Sequence, residues 1–185
     1  MKNTIFLDID GVLNDNDSIF LEESVDVLKQ IIKIHNATVV IISSWQRNGT
    51  ENKRKAIRCK LEELGIHNTE FIDPNFVGEL CDINLPSRLL GIVDYLKNND
   101  VDNYIILDDE YHNDYKLICL NNYKVHPFKG LTYKDLEKIK FRPVNLDNFK
   151  YINYEYKELK EYELVTNNLI KVLKKKYEND SNKNL

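Results

Sequence analysis

The chain has 185 residues, enough for one domain with an extension but short for two, and its 42% apolar residues can fill a proper core. Its formal net charge of −4 excludes bulk attraction to nucleic acid and leaves that role to local basic patches. No apolar run approaches the ~20 residues that cross a bilayer, and no leader-like stretch opens the chain, so a cytoplasmic protein without a membrane partner is expected. Cys59, Cys81 and Cys119 are odd in number and never form a CxxC pair. That spacing predicts reduced core thiols rather than a zinc site or disulfides.

In chain order, TIFLDI (4–9) is a short apolar run that predicts a buried strand. Residues 21–35 place Val25, Leu28, Ile31 and Ile32 at near-helical spacing. TVVIISS (38–44) is β-branched and predicts a second strand. A charged helix over 51–64 follows, with Ile57, Leu61 and Leu64 on one face and Gly65 as its cap. A short strand is expected at 70–72, then a polar loop with Pro74 and Pro86. Ser87 caps a helix expected from Arg88 to Lys97. NYIILDD (103–109) predicts a third strong strand, YKVH (123–126) a weaker one, and Thr132 opens a short helix.

Strands alternating with helices imply βαβ units, hence an α/β fold with a doubly wound parallel sheet. After Arg142-Pro143 the character changes. Residues 154–177 read as an amphipathic helix followed by a polar tail. The expected division is therefore 1–141 as the catalytic domain and 142–185 as linker, helix and tail.

Right-handed crossovers bring the carboxyl ends of parallel strands to one edge, where such sheets bind ligands. Three polar motifs fall there. Asp8 and Asp10 follow the first strand; spaced two apart, their carboxylates are expected to face one point, with Gly11 allowing the next turn. Carboxylates that close repel each other unless a cation or a proton intervenes, and Mg2+ suits hard oxygen donors and a substrate phosphate together. Ser43 and the backbone N–H of Ser44, after the second strand, can donate to phosphoryl oxygens. Asp108 and Asp109 close the third strong strand, where adjacent buried acids need a partner or a metal.

In this order the motifs resemble those of the haloacid dehalogenase (HAD) superfamily: hhhDxDG at Asp8, Asp10 and Gly11, a strand ending in Ser43, and a strand ending in Asp108-Asp109. The details IISSW, ILDDE and GLT are similar to the HAD domains of bacterial multidomain (Swiss Army Knife) RNA-repair proteins. The resemblance covers about residues 3–141 and implies a HAD-like Rossmannoid sheet. It implies a lone cation as a third motif, for which Arg88 is the choice and Arg58 and Lys60 are rivals. It also implies the roles: Asp8 as nucleophile forming an aspartyl phosphate, and Asp10 as general acid and base. Mg2+ would be held by Asp8, the backbone carbonyl of Asp10 and Asp108, with Asp109 acting nearby. Ser43, Ser44 and Arg88 would bind the phosphoryl group.

Residues 11–37 and 45–87 leave no room for a large cap domain. An open site suits a bulky phosphorylated substrate such as a nucleic-acid end, unless the C-terminal helix or a second subunit covers it; that helix is also the candidate surface for a homodimer. Trp45 and Arg47, beside the basic run Lys53, Arg54, Lys55, Arg58 and Lys60, could stack a base and bind phosphates. The competing reading makes Trp45 core and the cations a solvated face. His112 follows the last motif closely enough to touch substrate. A nucleotidase or small-metabolite phosphatase is the alternative enzyme, and an inactive HAD-like binding module is the alternative from another class.

Overall fold

A computed structural model describes residues 1–15, 19–46, 51–72, 87–110, 112–117 and 120–149. Strands β1 (Asn3–Leu7), β2 (Ala37–Ile41), β3 (Thr69–Phe71), β4 (Asn103–Asp108) and β5 (Asn122–Lys124) form a parallel sheet in the order β3-β2-β1-β4-β5. A two-residue strand, β6 (Arg142–Pro143), runs antiparallel against the start of β4. The helices are α1 (Glu22–His35), α2 (Glu51–Glu63), α3 (Ser87–Asn98) and the short α4 (His112–Leu117). This is the doubly wound α/β sheet expected.

Alternation along β1 divides the core. Ile5 and Leu7 pack with Val39, Ile41, Ile105 and Leu107 against Val25, Leu28 and Ile31 of α1 and Ile57 and Leu61 of α2. Phe6 points to the other face, where its ring meets Tyr95 of α3 edge-on at 5.5 Å and Tyr104 at 6.1 Å. Both faces are thus covered, which is why the strands read as unbroken apolar runs.

Local chemistry sets the helix ends. Glu22 and Glu23 in the first turn of α1, and Lys33 and His35 in its last, suit the helix dipole. Gly65 adopts φ +80° after α2, with Gly65 N–H donating to Glu62 O and Ile66 N–H to Leu61 O, a Schellman closure that bears out its expected capping role. Thr132 forms a reciprocal capping box with Asp135, but over a single 3-10 turn (Tyr133–Asp135) rather than a helix through Ile139.

Three expectations change. β1 and β2 end at Leu7 and Ile41, earlier than the apolar runs suggested, although Asp8 and Ile42 still donate to the neighbouring strands. Cys59 is exposed on α2 and is not a core thiol, since the helix buries Ile57 and Leu61 instead. Ser87 begins α3 itself. Cys81, Cys119 and the helix expected over 154–177, with the homodimer surface drawn from it, lie outside the described residues. Clustering of the backbone separates Met1–Asn148 as one unit from Phe149–Leu185. No described helix is long and apolar enough to cross a membrane.

Candidate active site

The register of the sheet builds the site. Leu7 pairs with Ile41 on one side and Leu107 on the other, so the chain leaves β1, β2 and β4 side by side. Asp8 N–H donates to Leu107 O at 3.0 Å, and Ile42 N–H donates to Leu7 O at 2.9 Å. Asp8, Ser43 and Asp108 therefore start from neighbouring points on the carboxyl edge.

Asp8 is only 4% exposed and Asp108 is fully buried. Arg88, in the first turn of α3, spans them: its Nη1 donates to Asp8 Oδ2 at 2.6 Å and to Asp108 Oδ2 at 2.7 Å. Further donors hold both carboxylates. Ile9 N–H donates to Asp8 Oδ1, Glu110 N–H to Asp108 Oδ1, and Tyr115 O–H to Asp108 Oδ2 at 2.6 Å. Arg58 and Lys60 lie elsewhere: Arg58 sits over the Phe71 ring, and Lys60 pairs with Glu63.

Burial, reinforced by repulsion from Asp108, pushes the Asp8 carboxyl up to about 6 against the opposing pull of Arg88. Burial also raises Asp109, again with Asp108 adding to the effect. For Arg88, burial works to neutralise the guanidinium, but Asp8 and Asp108 outweigh it and hold its pKa well above the ordinary value. One guanidinium does not balance this set of acids.

The carboxylates of Asp8, Asp108 and Asp109 bring one oxygen each to within 4.8 Å of one another. That all-oxygen donor set fits a hard divalent cation such as Mg2+. Gly11 makes room for Asp109: at φ +69°, a Cβ there would lie 2.3 Å from Asp109 Oδ2. The glycine of the first motif thus admits an acid of the last.

The Asp10 side chain takes a different direction from the one expected. It lies outside the three-carboxylate group, because the strand ends at Leu7 and period-2 geometry no longer applies. Trp45 Nε1 donates to its two oxygens at 2.9 and 2.8 Å, and Asn14 Nδ2 donates at 2.9 Å. Asn14 is itself fixed by Gly11 N–H, which donates to its Oδ1 at 3.1 Å.

Ser43 is fully buried and its Oγ accepts from Trp45 N–H at 3.3 Å, while Ser44 is exposed. The Trp45 ring is partly buried and meets Phe20 edge-on at 5.9 Å. Arg47 lies outside the described residues; His112 opens α4, and its side chain lies outside them too. Asn14 and Tyr115 were not singled out from sequence. Asn14, four residues after Asp10 in a turn, carried a faint signal; Tyr115, on a helix of six residues, carried none. A separate cavity of about 690 Å³, lined by Lys2, Asn36, Thr38 and His67 among others, sits at the opposite edge and holds none of these groups.

The family model described as the HAD domain in Swiss Army Knife RNA repair proteins matches residues 4–136. The chain belongs to this family. No curated protein and no solved structure matches it. HAD domains as a class are hydrolases, phosphatases among them, and this one carries the class's fold together with an acidic cluster able to hold a metal.

Proposed function

We propose that this HAD domain is a magnesium-dependent phosphomonoester hydrolase that works through an aspartyl phosphate on Asp8 and acts on a nucleic-acid end. The observation that carries the reading is the buried set of Asp8, Asp108, Asp109 and Arg88 at the carboxyl edge of the sheet. Asp8 has the fixed orientation that in-line attack requires, with Ile9 N–H and Arg88 holding its two oxygens. Asp10, aligned by Trp45 and Asn14, protonates the leaving oxygen and then takes a proton from the water that cleaves the acyl phosphate. Arg88 offsets negative charge on the transferring group. Asp8, Asp108 and Asp109 would hold Mg2+, which would supply charge neutralisation for the incoming phosphate.

The family's RNA-repair context and the cations of α2 support a nucleic-acid end as substrate. Among the described residues, those between Gly11 and Ala37 form turns, isolated bridges at Asn14 and Phe20, and α1, with no further domain in that segment.

The test is hydrolysis of 3′- and 5′-phosphorylated oligonucleotides, nucleotides and sugar phosphates, with and without Mg2+. Borohydride reduction during turnover should convert residue 8 to homoserine, readable by mass spectrometry. Asp8→Asn should lower turnover by at least about a thousandfold, as expected for loss of a nucleophile, while leaving thermal unfolding cooperative. Turnover in excess EDTA, or by Asp8→Asn, at the wild-type rate would overturn the mechanism. Equal activity on sugar phosphates would transfer the assignment to a small-metabolite phosphatase.

A further inference from the structure

The segment from Lys124 to Leu131 is tied to the site at both ends. Val125 N–H donates to Asp108 O at 3.0 Å, and Leu131 N–H donates to Val12 O at 3.1 Å. Gly130 lies so close to the first motif that a Cβ would stand 2.8 Å from Val12 O and 2.3 Å from Ser24 Oγ. The intervening turn therefore bridges the backbone that carries Asp108 and the backbone just beyond Asp10. Lys129 and Gly130 N–H both donate to His126 O, which closes it tightly.

At the crest of this turn Phe128 is 71% exposed, although Val125 and Leu131 on either side are buried. Phe128 N–H donates to His126 Nδ1 at 3.2 Å, and the two rings stand edge-on at 6.1 Å. With Nδ1 accepting, a neutral His126 carries its proton on Nε2. Lys124, His126 and Lys129 are all exposed. An exposed ring framed by cationic and N–H donors, on a chain of net charge −4, is matched to a planar, anionic ligand. Three residues span at most about 11 Å, so Phe128 lies within a nucleotide's reach of the strand edge.

We infer that the turn from His126 to Lys129 is a nucleobase subsite: Phe128 stacks the base of the nucleotide bearing the scissile phosphate, and His126 and Lys129 contact the adjoining phosphate. This rests on the proposed phosphohydrolase reading and specifies which rim of the site receives the substrate's terminal residue. It also explains why an exposed phenylalanine sits in a turn that Gly130 and Leu131 pin in place.

The test compares kcat/KM for a phosphorylated oligoribonucleotide with that for the same oligomer carrying an abasic terminal residue, using wild type, Phe128→Ala and Phe128→Trp. Wild type should prefer the intact end by about tenfold, the size of one stacked base. In Phe128→Ala that ratio should fall toward one, mainly through KM, and Phe128→Trp should restore it. His126→Gln with Lys129→Gln should weaken both oligomers. A ratio unchanged in Phe128→Ala overturns the subsite while leaving the phosphohydrolase standing. If wild type hydrolyses small phosphates but neither oligomer, the nucleic-acid reading fails and takes the subsite with it.

Discussion

Asp8 and Asp10 stand two residues apart and have been given opposite surroundings. Asp8 is enclosed with Asp108 and Arg88, where burial raises its carboxyl to about 6; Asp10 is turned to an indole and an amide. A group that holds its proton up to about pH 6 must release it before it can ligate a cation. Mg2+ binding should therefore liberate a growing fraction of a proton as pH falls below 6, about three quarters at pH 5.5, and affinity should drop up to about tenfold per unit of further acidification. Above pH 7 Asp8 is already a carboxylate, and its part of the dependence should vanish. Calorimetry in buffers of different ionisation enthalpy reads the proton directly; no release at pH 5.5 would argue that Asp8 is not a ligand. Trp45 poses a second question at this scale. Trp45→Phe keeps an aromatic ring against Phe20 and removes the single indole N–H that donates to both Asp10 oxygens, leaving Asn14 Nδ2 as its side-chain donor. Because general acid catalysis matters most for poor leaving groups, kcat should fall about tenfold for an alkyl phosphate and less for p-nitrophenyl phosphate. Equal losses on both would return Trp45 to a purely structural role.

At the level of elements, glycines decide where loops can meet the site, and they are not equivalent. Gly65 and Gly130 both have positive φ, +80° and +62°. Beyond the backbone, an alanine at 65 would meet only the Lys29 chain at 3.5 Å, whereas one at 130 would drive into Ser24 Oγ and Val12 O. Gly65→Ala should thus cost about 1–2 kcal/mol, the left-handed conformation alone. Gly130→Ala should cost more and also lower activity, because it displaces the loop that follows Asp10. Denaturant unfolding of both variants, with activity measured alongside, checks the ordering. Much of this scale was legible in the sequence. β1, β2 and β4 are buried on both faces and read as apolar runs, and Asp8, Ser43 and Asp108 follow because strand ends in such a sheet share an edge. Arg88 needed a family pattern, since 80 residues separate it from Asp8 and only the fold joins them. Asn14, Tyr115 and the direction of the Asp10 side chain depend on tertiary contacts that no periodicity encodes. The strand boundaries ran long because a polar residue after an apolar run does not announce a turn.

Across the whole molecule, the chemistry is acidic while its surroundings carry the opposite sign in patches. Lys53, Arg54, Lys55, Arg58 and Lys60 fall on one helix, α2, where Arg54 and Arg58 lie over the Phe71 ring at 5.4 and 5.3 Å and Arg54 also donates to Ile72 O. Those two arginines are partly buried, and Lys53 and Lys55 are exposed. A phosphate chain leaving the site along α2 would meet this patch, although the net charge of −4 offers no help at long range. The advantage in kcat/KM of a phosphorylated oligonucleotide over the matching mononucleotide should then depend on salt. If about three backbone phosphates engage cations, raising monovalent salt from about 50 to about 200 mM should reduce it by about twentyfold, because counterion release drives such contacts. Lys53→Gln with Lys55→Gln should flatten that slope without changing kcat for the mononucleotide, which is too short to reach the patch. An oligonucleotide with no advantage at any salt would make α2 an ordinary solvated helix face and leave a free small phosphate as the better substrate.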